Sequence, residues 1–294
     1  VSATSLELNP RSIAAVIERA VSVLASAGVS SPGVDAELLV GHVLGIGRGQ
    51  VQVKAHTDAM LSSADLVTVF ELVERRAARE PLQHITGLAA FRHLELAVGP
   101  GVFVPRPETE VVAQIAIDAA RAVASPEPLA VDLGTGSGAI ALAIATEVPH
   151  ARVIGVEVSP RAFVWTRQNF RAIAPGNARA VFIDLADALP DLDGRVDVVV
   201  SNPPYIPLGA IPRDPEVRLF DPEIALYGGE DGLDIVRDVS RTARRLLRSG
   251  GTLVLEHGES HADQLAALLA ADGWIAIAHH RDLTGRDRAT TALR

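Results

Sequence analysis

The run Val131-Asp132-Leu133-Gly134-Thr135-Gly136-Ser137-Gly138 joins an apolar, strand-like segment to three glycines at alternate positions, and Ala139 to Glu147 beyond it has helical composition. A turn without Cβ atoms lets a ligand approach the backbone closely, and the helix N-terminus that follows attracts an anion. The pattern predicts a strand, glycine turn and helix that open an α/β fold. A nucleotide-like cofactor would then lie over Gly134, Thr135, Gly136, Ser137 and Gly138. A tight strand-to-helix turn with no ligand has the same spacing, so the flanking chain must decide.

Outward from this turn the rhythm is strand, helix, strand, helix. Strands are expected at Leu129–Leu133, Arg152–Glu157, Ala180–Ile183, Val196–Val200, Gly251–Glu256 and Trp274–Ala278. Helices are expected at Ala139–Glu147, Pro160–Ile173, Leu233–Leu247 and Ala262–Ala271. Such alternation predicts a parallel, doubly wound sheet with ligands at the carboxyl ends of its strands. Glu157 ends the second strand about 20 residues after the glycine turn, where an acid can accept both ribose hydroxyls. Asp184 ends the third, placed to border an adenine together with the backbone of Leu185. These features alone allow a nicotinamide dinucleotide or S-adenosylmethionine. The spacing is G-x-G-x-G, not the G-x-G-x-x-G fingerprint, which tilts the choice away from a pyrophosphate.

The fourth strand decides it. Asp197-Val198-Val199-Val200-Ser201 runs into Asn202-Pro203-Pro204-Tyr205, which neither continues a strand nor starts a helix. Asn202 offers a side-chain carbonyl, and the prolines fix the backbone while removing two N–H donors, so the site is rich in acceptors. It suits a substrate with an NH2 group. The tetrapeptide resembles the signature of S-adenosylmethionine-dependent methyltransferases acting on planar NH2 groups: amides, or the amino groups of adenine and cytosine. The resemblance implies that the Asn202 side-chain oxygen and the Pro203 backbone oxygen accept the two N–H bonds, in line with the methyl donor. Pro204 and Tyr205 complete the substrate contact, with the Tyr205 ring facing the substrate plane or the cationic methyl region.

The 294 residues predict one to two domains, and 48% hydrophobic with 21% charged residues is ordinary for a soluble protein. A formal net charge of −9 with no long basic run opposes a nucleic-acid or anionic-membrane surface as the main partner. Cysteine is absent, which excludes disulfides, thiolate catalysis and Cys-based zinc sites. There is no signal-like N-terminus and no apolar stretch of the ~18 residues that span a bilayer, so a cytoplasmic protein is expected. His257 and His261, and His279 with His280, have spacings that can meet a metal. No metal is expected, because sulfonium methyl transfer needs no Lewis acid.

Upstream, three amphipathic helices are expected, at Ser12–Ala27, from Ser31-Pro32 to Gly45, and from Ser62 to about Glu80. Pro81 to Gly101 reads as a short hairpin that links domains. In Val102-Phe103-Val104-Pro105-Arg106-Pro107-Glu108-Thr109-Glu110 the proline and acids suit a helix start, while Arg106 is left without a structural task and is a candidate contact to cofactor or substrate. Ile206 to Asp231, rich in Pro and Gly, is expected as a structureless lid or substrate loop in which Glu216 and Arg218 pair with each other.

These segments together resemble the bacterial release-factor glutamine methyltransferase family. The matching residues are Phe103 to Glu110, Asp132 to Ile140, Ser201 to Ile206, Glu216 to Leu226, Gly250 to Gly258 and Asp282 to Arg288. Glu157 stands where the family often has aspartate. The resemblance implies a class I S-adenosylmethionine-dependent methyltransferase: a Rossmann-like, mostly parallel doubly wound sheet with an antiparallel last strand near Ala289–Leu293. It implies an N-terminal helical bundle at 1–80 that docks the release factor, a β-hairpin linker at 81–104 and the methyltransferase domain at 105–294. Transfer would be from S-adenosylmethionine, leaving S-adenosylhomocysteine, to the side-chain N5 of the glutamine in the Gly-Gly-Gln loop of peptide chain release factors 1 and 2. Asn202 and Phe103 would also touch the cofactor. A monomer with no stable nucleic-acid partner is expected. The competing readings are an N6-adenine methyltransferase acting on nucleic acid, a non-catalytic S-adenosylmethionine-binding scaffold and, most distantly, a dinucleotide oxidoreductase.

Overall fold

The computed structural model describes residues 9–174 and 176–294, and the chain divides into two compact units. One comprises Val1–Gly87 with Arg213–Phe220, the other Leu88–Pro212 with Asp221–Arg294.

In the first unit, α1 (Ile13–Ser26) is capped by Ser12, whose hydroxyl accepts from the Ala15 N–H, and it turns Ile13, Val16, Ala20 and Leu24 inward. α2 (Pro32–Leu44) ends at Gly45 in the left-handed conformation. Two further helices depart from the expectation of three: α3 (Arg48–His56) and the short α5 (Leu82–Thr86) flank α4 (Ser63–Ala77). α3 buries only Val51, and α5 has five residues, so neither carries a legible apolar period. Leu82–Thr86, expected as part of the hairpin, is helical, with Pro81 at its N-cap. Ile13, Leu24, Leu39, Leu61, Val69 and Val73 share one core, each side chain contributing about 1.5–3 kcal/mol.

A polar cluster lies in the same unit. Arg76, only 6% exposed, pairs with Asp35 at 2.8 Å and with Glu216 at 2.8 Å, and Arg79 pairs with Glu216 at 2.6 Å. The expected Glu216–Arg218 pair is thus replaced. Residues two apart on a helix point to different faces, whereas two guanidiniums three apart converge on one carboxylate.

The second unit begins with the antiparallel hairpin β1 (Leu88–Phe91) and β2 (Leu94–Ala97), then α6 (Thr109–Ala122). Its sheet comprises β3 (Leu129–Leu133), β4 (Arg152–Glu157), β5 (Ala178–Phe182), β6 (Val196–Ser201), β7 (Leu247–Glu256), β8 (Ile275–Arg281) and β9 (Asp287–Leu293). The order is β5-β4-β3-β6-β7-β9-β8, with β9 antiparallel to both its neighbours and the other pairings parallel. The interleaved helices are α7 (Ala139–Glu147), α8 (Pro160–Ile173), α10 (Asp234–Leu246) and α11 (Ala262–Ala271), and α9 is the turn Pro215–Phe220 of the first unit. Central strands are buried on both faces. Val198, Val200 and Val254 join one core with Val112, Ile117, Leu142 and Phe170, while Val199, Leu253 and Leu255 join the other with Val236, Leu246, Leu265 and Leu269. This two-residue alternation between two apolar layers is why the strands read as unbroken hydrophobic runs.

Candidate active site

β3 delivers its carboxyl end to the glycine turn. Gly134 and Gly136 have φ of 74° and 56°, and a Cβ on either would meet no atom within 4 Å, so this strip of backbone is accessible to a ligand. Gly138 differs: a Cβ there would meet Phe170 at 2.7 Å, so it serves helix packing. The Gly134 and Thr135 N–H groups donate to the Val156 carbonyl, which pins the turn to β4. Asp132, 1% exposed, accepts from the Thr135 hydroxyl at 2.6 Å and the Ala141 N–H at 3.2 Å through Oδ2, and its Oδ1 has no partner among the described residues. Burial pushes this carboxyl up to about 7, the two donors opposing it.

Glu157 reaches back to the turn. Its Oε2 accepts from the Gly136 N–H at 2.8 Å and its Oε1 from the Ser159 N–H at 2.7 Å. Burial raises its pKa, with these backbone donors working against the rise. Asp184 is exposed and accepts from the Ala186 N–H at 2.9 Å, capping a 3-10 turn that begins at the half-buried Leu185. The open glycine backbone, the orphaned Asp132 oxygen and an acid fixed beside the turn fit a polar, nucleoside-like cofactor.

β6 ends beside this turn. The buried Ser201 hydroxyl donates to the Leu133 carbonyl at 2.6 Å, tying the end of β6 to the end of β3. Asn202 is half-buried; its Nδ2 donates to the Thr109 hydroxyl at 3.4 Å, and its carbonyl oxygen accepts no hydrogen bond among the described residues. Pro203 is buried, Pro204 half-buried, and the Tyr205 hydroxyl donates to Glu256 Oε1 at 3.4 Å. Burial and the Glu256 charge push the Tyr205 phenol up. Glu256, 2% exposed at the end of β7, has an unpartnered Oε2, and burial pushes it up to about 7 against the Thr109 hydroxyl and the Arg288 charge.

The segment after the tetrapeptide is structured, contrary to expectation. Ile206 bridges Tyr227 in parallel, its N–H donating to the Leu226 carbonyl and its carbonyl accepting from Gly228. Cβ atoms on Gly228 and Gly232 would strike the Pro204 and Tyr205 carbonyls at 2.5 and 2.4 Å, so both glycines permit close packing on the tetrapeptide. Arg106 has a structural task after all: it pairs with Asp221 and lies 4.8 Å over the Phe103 ring. Burial pushes Asp221 up to about 6 despite that pair. His257 contacts the Gly258 carbonyl and the Thr290 hydroxyl, and His279 contacts the same hydroxyl. Among the described residues no three His, Cys, Asp or Glu side chains converge as a metal site. Asp132, Thr109, Asp221 and Glu256 received no role from the sequence. The available signal was an acid at or next to the end of an otherwise apolar strand, as Glu256 and Asp132 are.

The sheet order with its single reversed strand, the glycine turn and the acceptor-rich end of β6 define a class I S-adenosylmethionine-dependent methyltransferase. Residues 15–87 match the PrmC N-terminal domain and residues 109–211 the methyltransferase small domain. The release factor glutamine methyltransferase of Streptomyces coelicolor is 52% identical, covering 95% of this chain and 96% of its own, and that of Bifidobacterium longum is 44% identical, covering 95% and 98%. The chain belongs to the release factor glutamine methyltransferase family. A 4-amino-L-phenylalanine/4-methylamino-L-phenylalanine methyltransferase of Streptomyces pristinaespiralis is also similar, 39% identical over 96% of this chain and 95% of its own. Among solved structures, the hMettl16 catalytic domain has a TM-score of 0.52 at 14% identity, covering 79% of this chain and 81% of its own, which shows the shared fold. Among the described residues, no helix is long and apolar enough to cross a membrane.

Proposed function

We propose that this protein transfers a methyl group from S-adenosylmethionine to the side-chain N5 of the glutamine in the Gly-Gly-Gln motif of peptide chain release factors 1 and 2. When bound, the cofactor supplies an electrophilic methyl group on a sulfonium. Gly134 to Gly138 and Glu157 hold it by backbone approach and ribose hydrogen bonds, with Asp184 and Leu185 at its adenine and Phe103 beside it. A glutamine amide is a weak nucleophile, because its nitrogen lone pair is delocalised into the carbonyl. The Asn202 Oδ1 and the Pro203 carbonyl accept its two N–H bonds, hold the nitrogen in line for attack and stabilise the positive charge that develops on it. No base has to act first; the proton leaves after transfer.

The observation that supports this most directly is the Asn202 amide, whose NH2 is committed to Thr109 while its carbonyl oxygen stays available. Two acceptors and a formal net charge of −9 without a long basic run suit a protein amide better than a flipped base. In this reading the helical unit docks the release factor, the enzyme works as a cytoplasmic monomer, and Arg106 supports the substrate pocket through Asp221 and Phe103. The test is incubation with labelled S-adenosylmethionine and either release factor 1, release factor 2, RNA, DNA or 4-amino-L-phenylalanine, with the label located by mass spectrometry. Label on the Gly-Gly-Gln glutamine is expected. Label confined to nucleic acid or to the arylamine would overturn the proposal.

A further inference from the structure

We propose that Glu256 is a positioning residue of the acceptor site: from the end of β7 its carboxyl holds the Tyr205 hydroxyl and thereby fixes the plane of the Tyr205 ring. The inference rests on reading Asn202 to Tyr205 as the acceptor site.

The sheet brings the two residues together. β6 and β7 are parallel neighbours with Ser201 opposite Leu255, so the chain leaves β6 for the tetrapeptide at the level where β7 ends in Glu256. Val254, two residues earlier, lies in the core layer that contains Val112 of α6, and side chains two apart on a strand share a face. Glu256 therefore continues that layer at the strand end. There its Oε1 accepts from the Tyr205 hydroxyl at 3.4 Å, that hydroxyl's one hydrogen-bond partner among the described residues.

The backbone of the tetrapeptide is already set by packing: Cβ atoms on Gly228 and Gly232 would strike the Pro204 and Tyr205 carbonyls, and Ile206 is bridged to Tyr227. The two side-chain torsions of Tyr205 are not. Gly258 gives the ring no side-chain wall, since a Cβ there would sit 3.6 Å from Tyr205 Cδ2 in ordinary contact. The position of an acceptor at the ring tip fixes the first torsion. Its direction fixes the second, because a phenol O–H lies in the plane of its conjugated ring. With that proton committed to Glu256, Tyr205 offers a planar amide its ring face and no competing donor. The strand itself does not require an acid here. Glu256 is 2% exposed with Oε2 unpartnered, a position that an apolar residue would fill at less desolvation cost. Burial and Glu108 before α6 favour its neutral form and Arg288 on β9 its ionised one, yet a carboxyl accepts in either form.

The test compares Glu256→Leu, which removes the acceptor, Glu256→Gln, which keeps an acceptor without the charge, Tyr205→Phe, which removes the donor, and the Tyr205→Phe/Glu256→Leu double variant. It measures kcat and KM on the release factor, cofactor affinity by calorimetry, and the ζ-carbon resonance of labelled tyrosine, which reports whether the hydroxyl donates. The chain has two tyrosines, Tyr205 and Tyr227, so Tyr205→Phe assigns the signals. Glu256→Leu and Tyr205→Phe should each lower kcat by on the order of 10-fold, with cofactor affinity within about threefold of the parent. Both remove the same bond, so the double variant should be no slower than the slower single one. Glu256→Gln should keep kcat within about threefold of the parent. The Tyr205 resonance should move in Glu256→Leu and stay near its parent position in Glu256→Gln.

The positioning role is overturned if Glu256→Leu leaves the Tyr205 resonance unmoved, if glutamine is as slow as leucine, or if the losses multiply in the double variant. Should Glu256→Leu fail to fold, Tyr205→Phe decides, and the parent kcat in that variant overturns the role. Absence of label on the glutamine with the parent protein overturns the acceptor-site reading and the positioning role with it. Label on the glutamine together with a Glu256→Leu variant as fast as the parent overturns the positioning role alone.

Discussion

In the proposed reaction Asn202 acts through one oxygen atom. Replacing it by alanine should lower transfer by on the order of 10²- to 10³-fold while calorimetry finds cofactor affinity nearly unchanged, the pattern of a group used on the acceptor side. Glu157 should behave in the opposite way. Its carboxylate accepts from the Gly136 N–H and the Ser159 N–H, so Glu157→Ala removes both the proposed ribose acceptor and a brace of the glycine turn. Cofactor affinity should fall by roughly 10-fold or more, and an unchanged affinity would remove Glu157 from the site. Glu256 has a pH signature. Burial raises it to about 7, so its contribution to stability is fully present below the unfolded value near 4.5 and is lost as pH rises through about 7. Glu256→Gln should therefore flatten the dependence of Tm on pH across that window, against a parent that loses stability there.

Among the elements, α9 is the one whose sequence misleads most. Pro and Gly around it suggest an unstructured lid, yet Pro215–Phe220 forms a helical turn held by Glu216 between Arg76 and Arg79. Burial alone would raise the Glu216 carboxyl, but Arg79 and Arg76 outweigh it and hold it at about 2. A depressed carboxylate contributes stability above its unfolded value near 4.5, and that contribution is lost as pH falls toward 2. Glu216→Ala removes the carboxylate that Arg76 and Arg79 share, leaving Arg76 with Asp35 and Arg79 with backbone carbonyls, and should cost the helical unit about 3 kcal/mol, seen by denaturant unfolding at pH 7. The loss should shrink at pH 3. α3 was illegible for a simpler reason: with Val51 as its one buried residue, its amphipathic signal is too thin to read.

Over the whole molecule, the two units differ in what they need from each other's sequence. The helical unit is completed by Arg213–Phe220, drawn from far along the chain. A chain beginning at Leu88 should keep its sheet and bind cofactor, but the Arg213–Phe220 segment, deprived of Arg76 and Arg79, should become open to limited proteolysis after Arg213 or Arg218. Protection of those bonds in the shortened chain would show that the arginines do not order the segment. The sequence by itself determined the alternation of strands and helices, the glycine turn after β3 and the acceptor-rich end of β6. All three are local: two-residue and helical periods, glycines at positive φ, and prolines that stop a strand are legible within a few residues. Only the tertiary structure decided that Thr109 meets Asn202 across 93 positions, that Glu256 meets Tyr205 across 51, and that Arg106 meets Asp221 across 115. Buried polar groups must find partners wherever the fold leaves them, and that choice depends on which strand ends are brought together, which spacing along the chain does not encode.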